Sequence, residues 1–297
     1  MPVHQRLLPQ HGLSNLFELG VASKDFDAIL AFNFAPVFGA RNFLLVFDMM
    51  FAEQPEWFTR AERIYFSQIG PSVRRAAATY TISASEVERI KRVCRVQRLP
   101  TNIGLALPEE FVSAMPIPPN FMVPEKFMLA VGRLNARKNL GVAALTLYEA
   151  GILSPAFPLI VVGSPDGADP RLDRLRDAIK AGAVIFAGAL TDGELKWLYS
   201  HCAVFIFPSL DEGFGLPVLE AVSCGARIAL SDIPAFREFG NVGVFFDPTS
   251  PIEILGAVRR ALEPSDVESV WEWPRRFHWD SVVTSLRNDI FETLRLP

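Results

Sequence analysis

Short apolar runs alternate with helix-forming segments between residues 127 and 246, and this alternation constrains the fold more than any other feature. The runs are 127–131, 159–162, 184–186, 203–207, 228–230 and 244–246. Each has the length and composition of a strand that is buried on both faces. Because helical segments separate the strands, the order predicts an α/β fold with a parallel, doubly wound sheet.

The strand predicted at 203–207 is followed by a glycine loop and a helix. Gly213 and Gly215 allow the backbone to turn sharply. Pro217 suits the first turn of a helix, where a missing N–H group costs nothing. The free N–H groups and the positive end of the dipole at such a helix start predict an anion site.

Two carboxylates bracket this loop. Glu212 precedes it, and Glu220 lies in the first turns of the helix. Both are expected to face the crevice at the carboxyl end of the strand, where open α/β sheets bind ligands. A carboxylate there can accept two hydrogen bonds from a diol, so the pair suits sugar or ribose hydroxyls. The alternative is a chance pair of glutamates around a structural turn.

A second polar loop, 132–139, follows the strand predicted at 127–131. It carries Arg133 and Lys138, and two cations at the carboxyl end of a strand suit a diphosphate. Arginine binds such a group bidentately, and lysine acts as a point charge. Alternatively, both are surface charges on a loop. We expect their neighbour Arg137 to be solvated.

The segments EGFGLPVLEAVSCGARIALSDIPAFRE and VGRLNARKNL resemble the signature of the retaining glycosyltransferases of family 4. The resemblance implies the GT-B fold, with two Rossmann-like domains whose parallel sheets face a central cleft. It also implies that Glu212 contacts the donor sugar, Glu220 holds the ribose, and Arg133 and Lys138 bind the diphosphate. The residues whose backbone would support the donor are Gly213, Phe214, Gly215 and Leu216.

The N-terminal part has predicted strands at 27–32, 43–47 and 79–83 and predicted helices at 60–69 and 85–96. Its segments VFDMM, YTISASEVERI and TNIGLALPEEF also resemble the family. The proline-rich stretch 115–124 is the clearest linker. The domains expected are 1–120 on the acceptor side, 121–275 for the nucleotide sugar, and a closing helix over 276–297. We expect the first domain to be shortened, since family members have further strands there, and this leaves a sheet edge open.

One departure from the family concerns the end of the strand at 43–47. Many members have a His–Asp pair there whose histidine contacts the donor sugar, whereas this chain has Phe47 and Asp48. A phenylalanine cannot form that hydrogen bond. Either the role is lost or Asp48, assigned to the catalytic set, takes it over. The alternative for Asp48 is an ordinary turn residue at the end of a strand.

The charge and composition of the chain limit which classes of binding partner we expect. The net charge of −4 gives no broad attraction for nucleic acid. The chain has no apolar run of the roughly 18 residues that a membrane span needs. Three cysteines without metal-ligand spacing indicate reduced thiols in the cytoplasm, and no metal site is predicted. The arginines and lysines between 74 and 98 suggest peripheral contact with the inner membrane face, although a solvated helix face is the alternative.

The resemblance implies an enzyme that moves a sugar from a nucleoside-diphosphate sugar to a hydroxyl of a glycan or lipid-linked acceptor. It further implies retention of the anomeric configuration and no cofactor besides the donor substrate. Two cations take the place of a metal, so we expect metal-independent donor binding. The alternative is a nucleotide-sugar-binding remnant or partner subunit without catalytic activity.

Overall fold

The computed structural model describes residues 14–133, 135–163, 174–263 and 277–294. The chain divides into two compact units: Met1–Ala106 with Pro274–Pro297, and Leu107–Trp273. The boundary expected at residue 120 lies inside the second unit, since the segment before it is attached there. Lys196 Nζ donates to the carbonyl oxygens of Val112 and Ala114 at 2.7 and 3.0 Å.

Regular elements are numbered in chain order. The strands of the described residues are β1 Ala28–Phe32, β2 Arg41–Leu45, β3 Ala78–Thr81, β4 Thr101–Asn102, β5 Met128–Val131, β6 Leu159–Val162, β7 Val184–Gly188, β8 Val204–Phe207, β9 Ile228–Ser231 and β10 Val244–Phe246. The α-helices are α1 Leu19–Ala22, α2 Met50–Glu53, α3 Arg60–Phe66, α4 Ile69–Arg75, α5 Ala84–Cys94, α6 Glu109–Ser113, α7 Leu140–Glu149, α8 Arg176–Lys180, α9 Asp192–His201, α10 Leu216–Ser223, α11 Pro234–Arg237, α12 Pro251–Leu262 and α13 Trp279–Leu294. None of these helices has the length and apolar character needed to cross a bilayer.

The first unit is built on a parallel sheet with the order β1-β2-β3-β4. β1 forms one edge and exposes Leu30 and Phe32. On the inner strands Phe43 and Tyr80 are fully buried, with ring centroids 6.3 Å apart. The Tyr80 hydroxyl donates to Asp289 on α13 at 2.7 Å, so the last helix of the chain packs on this sheet.

The helix predicted over 60–69 is two helices in the structure. α3 begins with a capping box between Thr59 and Glu62 and ends at Phe66. The chain then restarts as α4. A continuous helix would need an N–H at Pro71 to bond the carbonyl of Ser67, and proline has no such donor.

The second unit is built on a parallel six-stranded sheet with the order β10-β9-β8-β5-β6-β7. From β5 the chain adds β6 and β7 on one side. It then crosses back to β8 and adds β9 and β10 on the other side. The direction of winding therefore reverses between β5 and β8, and loops diverge there to leave a crevice at the carboxyl ends of the strands.

Both faces of this sheet are covered, which explains its continuous apolar strands. Val204 and Ile206 of β8 face a core shared with α7, α8 and α12. The alternate residues of β8, Phe205 and Phe207, contact Tyr199 of α9 and Phe236 of α11, with ring centroids 5.2 Å apart in both pairs. Buried helices on both sides fix the sheet and leave its carboxyl edge free to carry the site.

Candidate functional site

The loops after β5 and β8 meet at the crevice where the winding reverses. They are joined through the backbone, since the N–H of Leu210 donates to the carbonyl of Arg137 at 2.8 Å. Residues that lie far apart in the sequence therefore share one place in the fold. This is the position at which open α/β sheets bind ligands.

Two asparagines, Asn135 and Asn139, fix the conformation of the loop after β5. Asn135 accepts a hydrogen bond from the backbone N–H of Lys138 at 3.0 Å and thereby caps the 3₁₀ turn Ala136–Lys138. Asn139 then adopts a left-handed conformation, and its buried amide donates to the carbonyl of Pro248 at 2.8 Å. The turn places Arg137 and Lys138 side by side, and both extend towards the loop after β8.

Glu212 is the acceptor for both cations. Lys138 Nζ lies 2.6 Å from Oε1, and Arg137 Nη1 lies 2.6 Å from Oε2. The hydroxyl of Ser209 donates to Oε1 at 2.7 Å. Lys138 Nζ also lies 4.6 Å from the ring centroid of Phe207. Glu212 is buried, so these contacts replace the water that its charge has lost.

The charges in this cluster are strongly coupled. Burial raises the pKa of the Glu212 carboxyl, but Lys138 and Arg137 outweigh it and hold the pKa below its ordinary value. Burial, reinforced by the neighbouring Arg137, lowers the pKa of Lys138 although Glu212 opposes the shift. Two cations face the carboxylate of Glu212, and Glu220 also attracts Lys138, so an anion that binds here competes with carboxylates for these cations.

The glycine loop leads directly into α10. Gly215 has φ +110°, and a Cβ atom at this position would lie 2.7 Å from Cε1 of Phe236. No side chain caps the helix at Gly215; within its first turn Pro217 has no N–H, and the N–H of Val218 donates to the carbonyl of Gly215 at 2.9 Å. Phe214 is buried against Phe239, with ring centroids 5.3 Å apart. Its part in a site is therefore confined to its backbone.

Glu220 lies one turn further along α10. Its Oε2 accepts a hydrogen bond from the Tyr199 hydroxyl on α9 at 2.9 Å. Burial raises the pKa of Glu220, and the negative charge of Asp192 adds to that effect. Burial, followed by the neighbouring Glu220, raises the pKa of Tyr199 well above its usual value, so the phenol stays neutral and acts as a donor.

The structure places Lys138 and Glu212 in contact and Glu220 on the helix behind the same loop. Arg133 follows the end of β5 with an exposed side chain. The expectation that Arg137 is solvated is wrong, because its side chain is only 19% exposed and binds Glu212. Ser209 and Tyr199 also belong to the cluster and were missed. The nearness of Ser209 to Glu212 in the sequence is a signal that could have found it, whereas the contact of Tyr199 with Glu220 joins two helices and has no such signal.

Asp48 belongs to the first unit. It follows β2, and its Oδ1 accepts from the N–H of Met50 at 3.3 Å, at the start of α2. The adjacent N–H of Met49 donates to Glu86, a carboxylate with no exposed surface, at 3.1 Å. Both contacts fix the loop after β2, which agrees with the turn-residue alternative. A role for Asp48 towards a sugar stays a prediction.

Several cations of the basic stretch between 74 and 98 have partners inside the first unit. Arg89 pairs with Glu86 and with Glu53 of α2, and Arg92 pairs with Glu53 at 2.8 Å. The guanidinium of Arg98 donates to the carbonyl of Ala77 at 2.6 Å. These contacts reduce the charge available to a lipid surface, and membrane contact stays a prediction.

Comparisons with known proteins concern the family and the fold of this chain. The pattern of the family described as "Glycosyl transferases group 1" matches residues 117–272. The serotype-specific mannosyltransferase WbdA of Escherichia coli is 31% identical over 206 residues. That alignment covers 63% of this chain and 25% of WbdA, so the chain spans about a quarter of that relative's length.

Two solved structures have the same fold. Sucrose-phosphate synthase from Thermosynechococcus elongatus superposes with a TM-score of 0.68 at 19% identity, over 93% of this chain and 76% of that one. HepE from Anabaena, in complex with UDP and glucose, superposes with a TM-score of 0.67 at 15% identity, over 93% and 80%. These similarities, with the two parallel sheets, confirm the predicted α/β GT-B fold. Since the family pattern covers more than half of its length, the chain belongs to the glycosyl transferases group 1 family.

Proposed function

We propose that this protein transfers a sugar from a nucleoside-diphosphate sugar to a hydroxyl group of a glycan or lipid-linked acceptor, with retention of configuration. The observation that carries the proposal is the contact of Lys138 and Arg137 with Glu212 at the winding reversal of the second sheet. Family membership and the UDP and glucose bound to the structural neighbour HepE support the same class of ligand.

Three parts of a sugar nucleotide, namely the diphosphate, the ribose and the sugar, have a matching group in this cluster. The positive charges of Lys138 and Arg137, with Arg133 nearby in the sequence, suit the diphosphate. The N-terminus of α10, which no side chain caps, suits the same group. Glu220 suits the ribose diol, and Glu212 suits sugar hydroxyls. The proposed donor-binding residues therefore all lie in the second unit.

The proposed chemistry needs no protein nucleophile. The acceptor oxygen forms a bond to the anomeric carbon on the face from which the diphosphate leaves. The bond from that carbon to the phosphate oxygen breaks, and the acceptor's proton passes to the departing phosphate. Catalysis then consists mainly of stabilising the charge on the leaving group, which is the work of preorganised cations and helix amides.

We also propose that donor binding needs no metal ion, because Lys138 and Arg137 supply the charge that a divalent cation would otherwise provide. The sugar proposed for the first assays is mannose, since the relative WbdA is named a mannosyltransferase. The location in the cytoplasm stays a prediction, made from the three cysteines. All of them are free in the structure.

A thermal-shift screen tests the proposal. UDP, GDP, dTDP and ADP are compared with the corresponding sugar nucleotides, each with and without EDTA. We expect one nucleotide class to raise the melting temperature, equally in both conditions. Stabilisation that EDTA removes contradicts metal independence, and no stabilisation by any ligand contradicts the donor site. NMR of the glycoside formed from the preferred donor then tests whether the anomeric configuration is retained.

A second candidate function is nucleotide-sugar binding without transfer. The observation that favours it is Phe47, whose ring stacks on Phe32 with centroids 6.2 Å apart and cannot hydrogen-bond a sugar. A protein that is stabilised by a sugar nucleotide, yet releases no nucleoside diphosphate with glycan or lipid-linked acceptors, supports this reading. Release that depends on acceptor supports the transferase.

A further inference from the structure

We propose that Arg137 is a positioning residue: it is the counter-ion that keeps Glu212 ionised and in place while the diphosphate of the donor draws Lys138 away. This inference rests on the proposed function, because it concerns the same site. It assigns different tasks to two adjacent cations that contact the same carboxylate. Four observations on the site carry it.

The first observation is the division of the carboxylate between its partners. Arg137 contacts Oε2, whereas Lys138 and Ser209 contact Oε1. Removing Lys138 from Oε1 therefore leaves Oε2 bound to Arg137 and Oε1 bound to Ser209. Without Arg137, the same movement leaves a buried carboxylate with a hydroxyl as its remaining side-chain partner.

The second observation is that Arg137 is anchored. Its Nη1 donates both to Glu212 and to the carbonyl of Asp211 at 3.1 Å. Its own carbonyl accepts from the N–H of Leu210 at 2.8 Å. The guanidinium and its backbone thus bind the loop that carries Glu212 at two points. A planar guanidinium holds such a geometry with little further loss of freedom.

The third observation is that Lys138 is suited to exchange partners. Its ammonium is a compact charge on a flexible stem, with three donors that rotate freely. It lies against the face of Phe207, a contact that tolerates small shifts of the nitrogen. A diphosphate carries more negative charge than one carboxylate, so it competes effectively for this ammonium.

The fourth observation is the electrostatic setting of Glu212. The charged groups that face it are Lys138 and Arg137 on the loop after β5 and Asp211 on its own loop, while Glu220 on α10 interacts with Lys138. Burial alone favours the protonated acid. Lys138 and Arg137 reverse that preference and keep the carboxyl ionised. If both cations were lost, one to the donor and one by mutation, the carboxyl would again favour its protonated form.

Replacement of Arg137 should change the pH dependence of donor affinity in one direction only. In Arg137→Ala, a donor that engages Lys138 leaves Glu212 without a cation, so the carboxyl takes up a proton on binding. Binding that takes up a proton weakens as pH rises. In the wild type Arg137 remains, so Glu212 takes up no proton on binding and adds no pH dependence to the donor affinity. The phosphate groups of a sugar nucleotide stay ionised near neutrality and add no pH dependence of their own.

The experiment is calorimetric titration at about pH 6 and about pH 8. The ligand is the one of GDP-mannose, UDP-glucose, dTDP-glucose and ADP-glucose that stabilises the wild type most. Arg137→Ala should lose affinity by about tenfold or more between the two pH values, since one unit of pKa shift corresponds to a tenfold change. Adding Glu212→Gln should abolish this loss, because the amide does not titrate. Arg137→Lys should restore part of the wild-type behaviour.

Arg259→Ala, at an exposed position near the end of α12, is the matched control and should behave like the wild type. If the wild type binds a donor and Arg137→Ala binds it with the same affinity at both pH values, the inference is wrong and the proposed function stands. A loss of equal size at both pH values likewise contradicts it. If the wild type binds none of the four ligands, the proposed function fails, and the inference fails with it.

Discussion

Lys138 Nζ lies 2.6 Å from Oε1 of Glu212, and this contact joins the loop after β5 to the loop after β8. The two residues meet because their strands are neighbours at the point where the winding of the sheet reverses. The contact also means that the lysine is engaged before any ligand arrives. An anion that binds here competes with the carboxylate of Glu212 for Lys138. The affinity for that anion therefore depends on how strongly each of the two attracts the lysine.

Replacement of Lys138 tests this balance. Lys138→Ala is expected to reduce turnover by about 10²–10³-fold, since loss of one preorganised group at a developing charge costs about 3–4 kcal/mol. The rate of nucleoside diphosphate release from the preferred donor measures the effect. Lys180→Ala, an exposed lysine at the end of α8, is the control. Unchanged turnover in Lys138→Ala would falsify the assigned role.

The raised pKa of Glu220 predicts a pH dependence of nucleotide affinity. Burial is the main cause, and Asp192 adds to it. Glu220, which we propose accepts hydrogen bonds from the ribose hydroxyls, loses its charge by protonation as pH falls. This loss begins at a higher pH than for an ordinary glutamate, whose pKa is about 4.3. Affinity for the sugar nucleotide, whose esterified phosphates stay ionised, should therefore weaken in mildly acidic solution.

The variant Glu220→Gln isolates Glu220 in a calorimetric titration of the sugar nucleotide over that range, because the amide does not titrate. Glu220→Gln should bind the nucleotide more weakly at neutral pH but with a flatter pH profile. The assignment is wrong if the variant keeps the acid-dependent loss seen in the wild type.

The strands of the second sheet could be predicted because each is an uninterrupted apolar run. Each of the six runs identified in the sequence overlaps one strand of the structure, from Met128–Val131 to Val244–Phe246, and two of the strands extend one or two residues beyond their runs. A strand that is buried on both faces consists of consecutive apolar residues, and such a run can be recognised from the sequence alone. β4 was not predicted, because Thr101–Asn102 is two polar residues whose strand geometry depends on pairing with β3.

The carboxylates of the candidate site could be predicted from the sequence, but only some of its cations could. Glu212 and Lys138 follow from their positions beside strand ends. The role of Arg137 depends on the 3₁₀ turn Ala136–Lys138, which turns two adjacent side chains towards the same acceptor. Pattern alone does not reveal such a turn. Tyr199 was missed for a related reason: its hydroxyl reaches Glu220 from another helix, across 21 residues of sequence.

Gly215 is expected to tolerate no side chain. Its φ of +110° strains any other residue, and the added Cβ would lie 2.7 Å from Phe236. Gly225 provides a matched control, since it has φ +71° but nothing within 4 Å of an added Cβ. Gly225→Ala should cost about 1–2 kcal/mol of unfolding free energy from backbone strain alone. Gly215→Ala should cost more in urea denaturation, and equal losses would show that the contact with Phe236 does not matter.

Arg89 connects two carboxylates beneath the loop that carries Asp48. It pairs with Glu86, which has no exposed surface, and its Nε lies 2.9 Å from Oε2 of Glu53. Burial raises the pKa of Glu53, but Arg92 and Arg89 together hold it below its ordinary value. Loss of one member of a buried ion pair costs about 3–5 kcal/mol, because the remaining charge loses its counter-ion. Arg89→Met should therefore lower the unfolding free energy by an amount in that range.

The same helix supplies the control for this prediction. Lys91 pairs with Glu88 at 3.5 Å, but both side chains are about half exposed. Exposed pairs contribute about 1 kcal/mol or less, so Lys91→Ala should change stability little. Both variants remove one positive charge from α5, which separates the effect of burial from that of net charge. If urea denaturation shows the same small loss for both, Arg89 does not stabilise Glu86 as described, and the loop after β2 must be held by other contacts.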